Sequence, residues 1–172
     1  MRLITATAIL LLATPAFAQP ALKPDLAPLA FLVGSWDSGA GKVADTGGTS
    51  KGGSVIGIAS DGAVLLRQDH TELFDKAGKP SGAFHQTMLI YSEGGTLHAD
   101  YVDGEGHAIH YISATAVPGK SVTFTSAAGA GPVFRLTYEL QSPDRLAVTF
   151  GMIPPGQSEL RPIATGTLQK IR

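Results

Sequence analysis

Residues 132–152 read PVFRLTYELQSPDRLAVTFGM, and this stretch decides the fold class. On each side of a turn at Ser142–Asp144, apolar residues occupy every second position. Strict alternation predicts antiparallel strands with one buried and one solvated face. A loop with an odd number of residues, for instance 141–145, brings both apolar sets onto one face of a hairpin. These sets are Phe134, Leu136, Tyr138 and Leu140 on one strand, and Leu146, Val148, Phe150 and Met152 on the other.

The same pattern of apolar runs and turn residues continues in both directions along the chain. Gly, Pro and Asp separate the runs, as expected of tight turns. Consecutive antiparallel hairpins close most simply into a barrel without edges. We therefore predict an all-β fold, an antiparallel up-and-down β-barrel of about ten strands. The predicted strands are 31–38, 50–59, 62–74, 83–92, 95–102, 107–115, 120–126, 132–140, 145–152 and 162–171.

The segment 39–53 and the N-terminus need separate interpretations. The Gly-rich segment 39–53 is either a loop over a barrel mouth or a flexible linker. Residues 1–18 have a positive start, a short apolar run and a final Ala-x-Ala, which together indicate a cleaved secretory signal peptide. We expect an extended lead-in over 19–28 and one barrel domain over 29–172. The expected location is the periplasm or the outside of the cell.

Composition excludes several classes of function. The 172 residues include no cysteine, which rules out disulfides, thiolate metal sites and a cysteine nucleophile. The formal net charge is −1 and there is no Lys/Arg cluster, so we expect no nucleic-acid surface. No mature segment is long and apolar enough for a transmembrane helix. Motifs for a nucleophile elbow or a nucleotide-phosphate loop are also missing. Oligomeric state stays open.

The hairpin that turns near Asp103–Gly106 decides which histidine faces inward. We predict Tyr101 opposite Ala108 and Ala99 opposite His110, which places His110 on the mostly apolar, inward face. A slip of one residue would exchange the two faces. An inward His110 is either a hydrogen-bonded core histidine or a polar anchor for a ligand, with Tyr101 as its neighbour.

Other residues offer chemistry on neighbouring strands. Arg67 beside Asp69 is a second candidate anchor, and His70 beside Glu72 is a third. Arg135 belongs to the same inventory of ligand-binding candidates, although its alternation puts it opposite the apolar face.

A metal site has weaker support. His98, Asp100 and His107 share the more polar face of their hairpin and offer donor atoms without a recognised metal spacing. We therefore predict solvated histidines and no metal.

The segment 29–36, LAFLVGSW, resembles the first strand of calycin barrels, the lipocalins and their relatives. In those families the Trp of a Gly-x-Trp motif packs under the barrel against a basic side chain from the last strand. The resemblance implies this role for Gly34 and Trp36, with Lys170 or Arg172 as the base. Through 31–36, 101–111 and 131–138 the chain also resembles an uncharacterised bacterial family of exported lipocalin-like proteins.

A more distant similarity is to the nitrobindins, ten-stranded barrels that hold haem through a histidine near the C-terminus. The segment 160–170, LRPIATGTLQK, follows the pattern of their last strand, but the histidine position falls on Ile163. No histidine follows His110. Since isoleucine cannot ligate iron, we predict no haem of this type and no other cofactor.

These observations predict a binding protein for a small hydrophobic or amphipathic molecule, such as a fatty acid, a quinone-like compound or a pigment, held in a barrel cavity. Two alternatives stay open. One is a cofactor-independent enzyme in which His70 or His110 acts as acid or base beside a carboxylate. The other is a structural or interaction module whose barrel is filled by its own side chains.

Overall fold

The structure, a computed structural model, describes residues 20–44 and 46–171; the predicted signal peptide lies outside these residues. Ten strands form one closed antiparallel barrel, in which each strand pairs with its sequence neighbours and β10 closes onto β1. This confirms the predicted all-β, ten-stranded antiparallel barrel. The strands are β1 (Gly34–Val43), β2 (Gly48–Ala59), β3 (Val64–Phe74), β4 (Pro80–Glu93), β5 (Thr96–Asp103), β6 (Ala108–Val117), β7 (Ser121–Ser126), β8 (Val133–Ser142), β9 (Arg145–Ile153) and β10 (Arg161–Lys170).

Two predictions about the first hairpin are wrong, whereas the boundaries of the later strands agree with the predicted ones to within three residues. The first strand begins at Gly34 rather than Phe31, because Ala27–Leu32 forms a 3-10 helix, here η1. The segment 39–53 is neither a mouth loop nor a linker. Its first residues extend β1 to Val43, and β2 begins at Gly48. Within the described part of the chain, no helix has the length and apolar character needed to cross a membrane.

The N-terminal segment seals one end of the barrel, at the turns that follow β2, β4, β6 and β8. Backbone bonds of 2.9 Å run from Lys23 N–H to the Gly62 carbonyl and from Gly119 N–H to the Pro28 carbonyl. The apolar side of the segment points into the barrel, and its residues are at most 1% exposed: Leu26, Leu29 and Leu32. The burial of these three leucines makes this the closed end.

The Gly-x-Trp segment lies against the last strand at the same end. The Trp36 indole N–H donates to the Leu32 carbonyl at 2.8 Å, and the Lys170 ammonium lies 5.1 Å from the centre of the indole ring. Gly34 has a φ of 139°, and a Cβ there would lie 2.7 Å from Lys170 Cε. The positive φ therefore favours glycine at this position, and the absence of a Cβ leaves room for Lys170 over Trp36.

Burial falls from the sealed end to the opposite rim, although the same faces of the strands point inward throughout. On β3, Leu65 is 0% exposed and Asp69 8%, whereas Leu73 near the rim is only partly buried. On β8, Tyr138 is 1% exposed and Phe134 is partly buried. The barrel therefore has a sealed half with a fully buried core. Its open half ends at the turns that follow β1, β3, β5, β7 and β9.

The two hairpins for which a register was predicted have opposite outcomes. Between β8 and β9, Phe134 pairs with Met152 and Leu140 with Leu146, as predicted. Between β5 and β6 the prediction is wrong by one residue, since Asp100 lies opposite His110 and Tyr101 opposite Ile109.

The Asp103 turn explains the slip. The carboxylate of Asp103 accepts bonds from the Glu105 and His107 backbone N–H groups, and Gly106 adopts a φ of 90°. A turn with a glycine in this conformation adds one residue to the hairpin loop. That residue exchanges the faces of β6, so Tyr111 points inward and His110 outward.

Candidate functional site

An ion pair lies inside the barrel, on β3. Alternation along this strand turns Leu65, Arg67 and Asp69 inward. The Arg67 guanidinium donates to Asp69 Oδ2, and the two side chains are 13% and 7% exposed. A buried cation requires such a partner, because an unpaired buried charge is strongly unfavourable. Asp69 is therefore the counter-ion that allows Arg67 to lie in the barrel.

Arg67 reaches across the barrel. Its guanidinium carbon lies 5.7 Å from the ring centre of Tyr138 on β8, the strand five places away in the ring of ten. A second guanidinium nitrogen lies 3.7 Å from the sulfur of Met88 on β4. At this level the interior is filled by the protein's own side chains, and this layer is the floor of the open half.

Burial and the ion pair set the protonation of these groups. Burial alone lowers the pKa of Arg67, but attraction from Asp69, with help from Tyr138, outweighs it, so the pKa is raised and the guanidinium stays charged. Burial raises the pKa of Tyr138 to about 12, although the nearby Arg67 charge opposes part of that rise. Burial also raises the pKa of the inward Tyr101 and Tyr111 hydroxyls. All three tyrosines are therefore neutral at physiological pH.

Three buried polar atoms around this pair make no hydrogen bond of ordinary geometry among the described residues: Ser54 Oγ, Asp69 Oδ1 and the Tyr138 hydroxyl, which interacts with the nearby Arg67 guanidinium without such a bond. Ser54 on β2 lies directly opposite Asp69 on β3, and the two residues are 5% and 8% exposed. Tyr138 approaches the same pair from across the barrel, where its ring lies 5.7 Å from the Arg67 guanidinium carbon. Together with Arg67 these residues form what we call the polar floor.

The rim above the polar floor is concave. A cleft of about 460 Å³ lies between the ends of the β1–β2 and β3–β4 hairpins, and its lining includes Val43, Leu73 and Phe74. On the other side of the open half, Phe134 and Phe150 stack with ring centres 5.9 Å apart. An apolar wall above a few convergent polar groups is the usual make-up of a small-molecule site.

Three sequence-predicted candidates lie outside the barrel. The prediction of an inward His110 is wrong: its side chain is 76% exposed, and its Nδ1 lies 2.7 Å from Asp100 Oδ1. His70 is 46% exposed and lies 3.5 Å from Glu72 on the outer face. Arg135 is exposed, on the face that alternation assigns to solvent.

Two candidates lie inside, Arg67 in the polar floor and Tyr101 nearer the rim. The Tyr101 hydroxyl donates to Asp103 Oδ2 at 3.0 Å, so it is occupied by the turn. Tyr101 therefore contributes a ring to the interior wall, whereas Arg67 contributes charge.

The candidate metal donors are not brought together as a set. His98 stacks on Tyr91 with ring centres 5.6 Å apart, and Asp100 accepts from the Tyr91 hydroxyl at 3.1 Å. Within the described residues, the one group of three possible donors is Asp103, Glu105 and His107. The Asp103 carboxylate there already accepts four hydrogen bonds from the turn and from Tyr101, so hairpin formation accounts for this grouping.

Sequence reasoning identified Arg67 and Asp69 as a pair but missed Ser54 and the central role of Tyr138. The available signal was alternation, since Arg67 and Asp69 share a face with the apolar Leu65. Nothing local connects Ser54 to this face, because its partner in register is set by the pairing of β2 with β3.

Comparison with known proteins identifies the fold and no family. No family model and no curated protein matches the chain. The crystal structure of Rv2717c from M. tuberculosis is similar, with 18% identity, a TM-score of 0.57, and coverage of 88% of this chain and 99% of that one. A redesigned β-barrel has 15% identity and a TM-score of 0.44 over 85% of this chain and 96% of its own. The chain thus shares its barrel fold with the M. tuberculosis protein, and any statement of function rests on its own side chains.

Proposed function

We propose that the protein binds a small amphipathic molecule in the open half of the barrel, with the polar end on the polar floor. One observation carries the proposal: three buried polar atoms without hydrogen-bond partners lie beside an ion pair inside the barrel, and a largely apolar cleft opens at the rim end of the same strand, β3. A calycin-like relationship and export to the periplasm are part of the proposal. They are supported by the Trp36–Lys170 contact and by the N-terminal sequence pattern.

Energetics favour an occupant for these atoms. An unsatisfied buried polar group lowers the free energy of unfolding by about 1–3 kcal/mol. Three such groups would therefore reduce the stability of a small domain considerably. Buried polar atoms in folded proteins nearly always have a partner in protein, water or ligand. Ser54 and Asp69 are register partners on adjacent strands, and Tyr138 approaches the same ion pair from across the barrel.

The alternative, a barrel filled by its own side chains, fits only the sealed half of the molecule. In the sealed half, leucines, isoleucines and Trp36 pack to 0–1% exposure. In the open half, inward side chains such as Leu73 and Phe134 keep partial exposure. A barrel filled only by its own side chains does not explain why a charged pair lies at the boundary between the sealed half and the open half.

Native mass spectrometry of the protein, isolated gently from its own cells, tests the proposal first. A bound molecule gives a mass excess that disappears on denaturation. Fluorescence titration with 1-aminoanthracene, a neutral aromatic amine, then measures binding directly. The Tyr138→Phe variant removes a hydroxyl that has no protein partner, and we expect it to weaken probe binding about three- to ten-fold.

Tyr91→Phe is the matched control. It also removes one hydroxyl, but from the outer face, where that group donates to Asp100. We expect unchanged probe affinity in this variant. A bare native mass together with no binding of 1-aminoanthracene contradicts the proposal. Equal loss of affinity in both tyrosine variants contradicts the assigned position.

A further inference from the structure

We infer that the polar end of the ligand is an uncharged hydrogen-bond donor, such as an alcohol, a phenol or a primary amide, and that a carboxylate is selected against. This inference rests on the proposed function and specifies the class of ligand. It departs from the fatty-acid class suggested by the sequence, and the inward charges supply the reason.

The positive charge of Arg67 is already neutralised. Its guanidinium is bound to Asp69 Oδ2, and it also interacts with the Met88 sulfur and with both the ring and the hydroxyl of Tyr138. A ligand carboxylate would therefore not meet a free cation. To pair with Arg67 it would have to displace Asp69, whose own charge would then be buried without compensation.

The buried atoms of the polar floor that lack a partner are best satisfied by a hydrogen-bond donor on the ligand. Asp69 Oδ1 is a carboxylate oxygen and can only accept, whereas the Ser54 and Tyr138 hydroxyls can both donate and accept. An O–H or N–H group satisfies Asp69 Oδ1 and can at the same time accept from one of the hydroxyls. A carboxylate at the same place would face another carboxylate, and two like charges in a shared buried site are strongly unfavourable.

Two further lysines of the described residues, one at the rim and one at the sealed end, do not change this balance. Lys76 lines the cleft beside Asp75, and both are exposed, so their charges oppose each other and are screened by water. Lys170 lies over Trp36 and turns toward Gly34 at the sealed end, away from the mouth. The inward acid near the rim, Asp103, is occupied by its turn and by Tyr101. An ammonium group on the ligand would lose its hydration beside an ion pair that is already neutral and would find no free counter-charge there. The polar floor is therefore close to neutral as a whole, and this favours a neutral ligand.

The depth of the polar floor limits the length of the ligand. Asp69 lies four residues before Leu73 at the rim of β3, which corresponds to about 13 Å along the strand. A short alkyl chain or a single aromatic system fills that depth with its polar end on Asp69. The partly buried rings of Phe134 and Phe150 supply part of the wall beside it.

Three eight-carbon probes that differ only in the polar end test the inference on the full chain. Octan-1-ol, octanamide and octanoate are compared by displacement of 1-aminoanthracene at pH 7. We expect octan-1-ol and octanamide to displace the probe at concentrations at least about ten-fold lower than octanoate. Octanoate that binds as tightly or more tightly overturns the inference and leaves the proposed function standing.

The double variant Arg67→Met with Asp69→Leu identifies the source of the selectivity. Replacing a buried ion pair with apolar residues of similar volume often preserves or increases stability, so we expect this variant to fold. The preference for octan-1-ol over octanoate should fall to less than about three-fold. If the preference stays at ten-fold in this variant, the ion pair is not its cause and the inference fails. If 1-aminoanthracene does not bind the wild-type protein and the native mass is also bare, the proposed function fails as well.

Discussion

The sealed half of the barrel, around Leu65 and Trp36, and the open half, around Leu73 and Phe134, share the same ten strands but differ in what their inward side chains contact. In the sealed half, η1 covers the barrel end, and inward residues reach 0–1% exposure. In the open half, Leu73 and Phe134 keep partial exposure below a rim of turns, although Leu136, one inward position nearer the rim than Tyr138, is still buried. The same ten strands therefore hold a packed core at one end and the proposed ligand site at the other. The Arg67–Asp69 pair lies at the boundary between them.

The largest effect is expected at that boundary. Replacing Asp69 with Ala leaves the Arg67 charge buried without its counter-ion, which we expect to lower the free energy of unfolding by about 3–5 kcal/mol. Glu72→Ala on the same strand is the control, because its partner His70 lies on the exposed face and such pairs contribute about 0–1 kcal/mol. Urea unfolding measures both variants. Equal losses would mean that the pair is not buried in solution.

A leucine pair on one strand tests the difference between the two halves directly. Leu65 is fully buried in the sealed half, and its replacement by Ala should cost about 2–5 kcal/mol through lost contacts and a cavity. Leu73 also points inward but lies at the rim, and Leu73→Ala should cost less than about 1.5 kcal/mol. The difference between their urea midpoints measures the contrast, and a difference near zero would show that the open half is as tightly packed as the sealed half.

The open half should depend on pH through Asp103. Burial raises the pKa of this carboxyl, but bonds from the backbone and side chain of His107, from Tyr101 and from Glu105 outweigh it, so the pKa is lowered below its ordinary value of 3.8. A depressed folded-state pKa stabilises the fold above the unfolded pKa, and this stabilisation is lost as the pH falls through 3.8 and below. Asp103→Asn should therefore be less stable than wild type by about 1–3 kcal/mol at pH 7.

Urea titrations between pH 7 and pH 2.5 follow this prediction. The gap in stability between wild type and Asp103→Asn should narrow steadily in the acid range. A gap that is the same at every pH would show that the charge of Asp103 does not hold the turn.

The smallest effect on stability is expected at Tyr138. Its hydroxyl is buried without a partner, so Tyr138→Phe should change the free energy of unfolding of the ligand-free protein by less than about 0.5 kcal/mol, or increase it. A loss of 1 kcal/mol or more would reveal a hydrogen bond that holds the hydroxyl in the free protein. Such a result would mean that this hydroxyl belongs to the packed core and not to the ligand site.

Particular residues show how far the sequence could predict the site. The ten strands and the β8–β9 register followed from alternation, and the same alternation placed Arg67 and Asp69 on one face of β3. The position of His110 did not follow, because one additional residue in the Asp103 turn reverses the face of β6. Hydrophobic patterning could not detect that residue, since both registers leave a mixture of apolar and polar side chains on each face.

The sequence by itself therefore determined the all-β class, the approximate number of strands and the inward faces of β5, β8 and β9, because alternation is a local property with a period of two residues. Only the tertiary structure decided that Arg67 meets Tyr138, that Ser54 lies opposite Asp69, and that Ala27–Leu32 closes one end. These contacts join strands far apart in the chain, and they exist only once the barrel has closed. Closure of the barrel sets the distances across its interior, and these distances bring the residues of the polar floor together from separate strands.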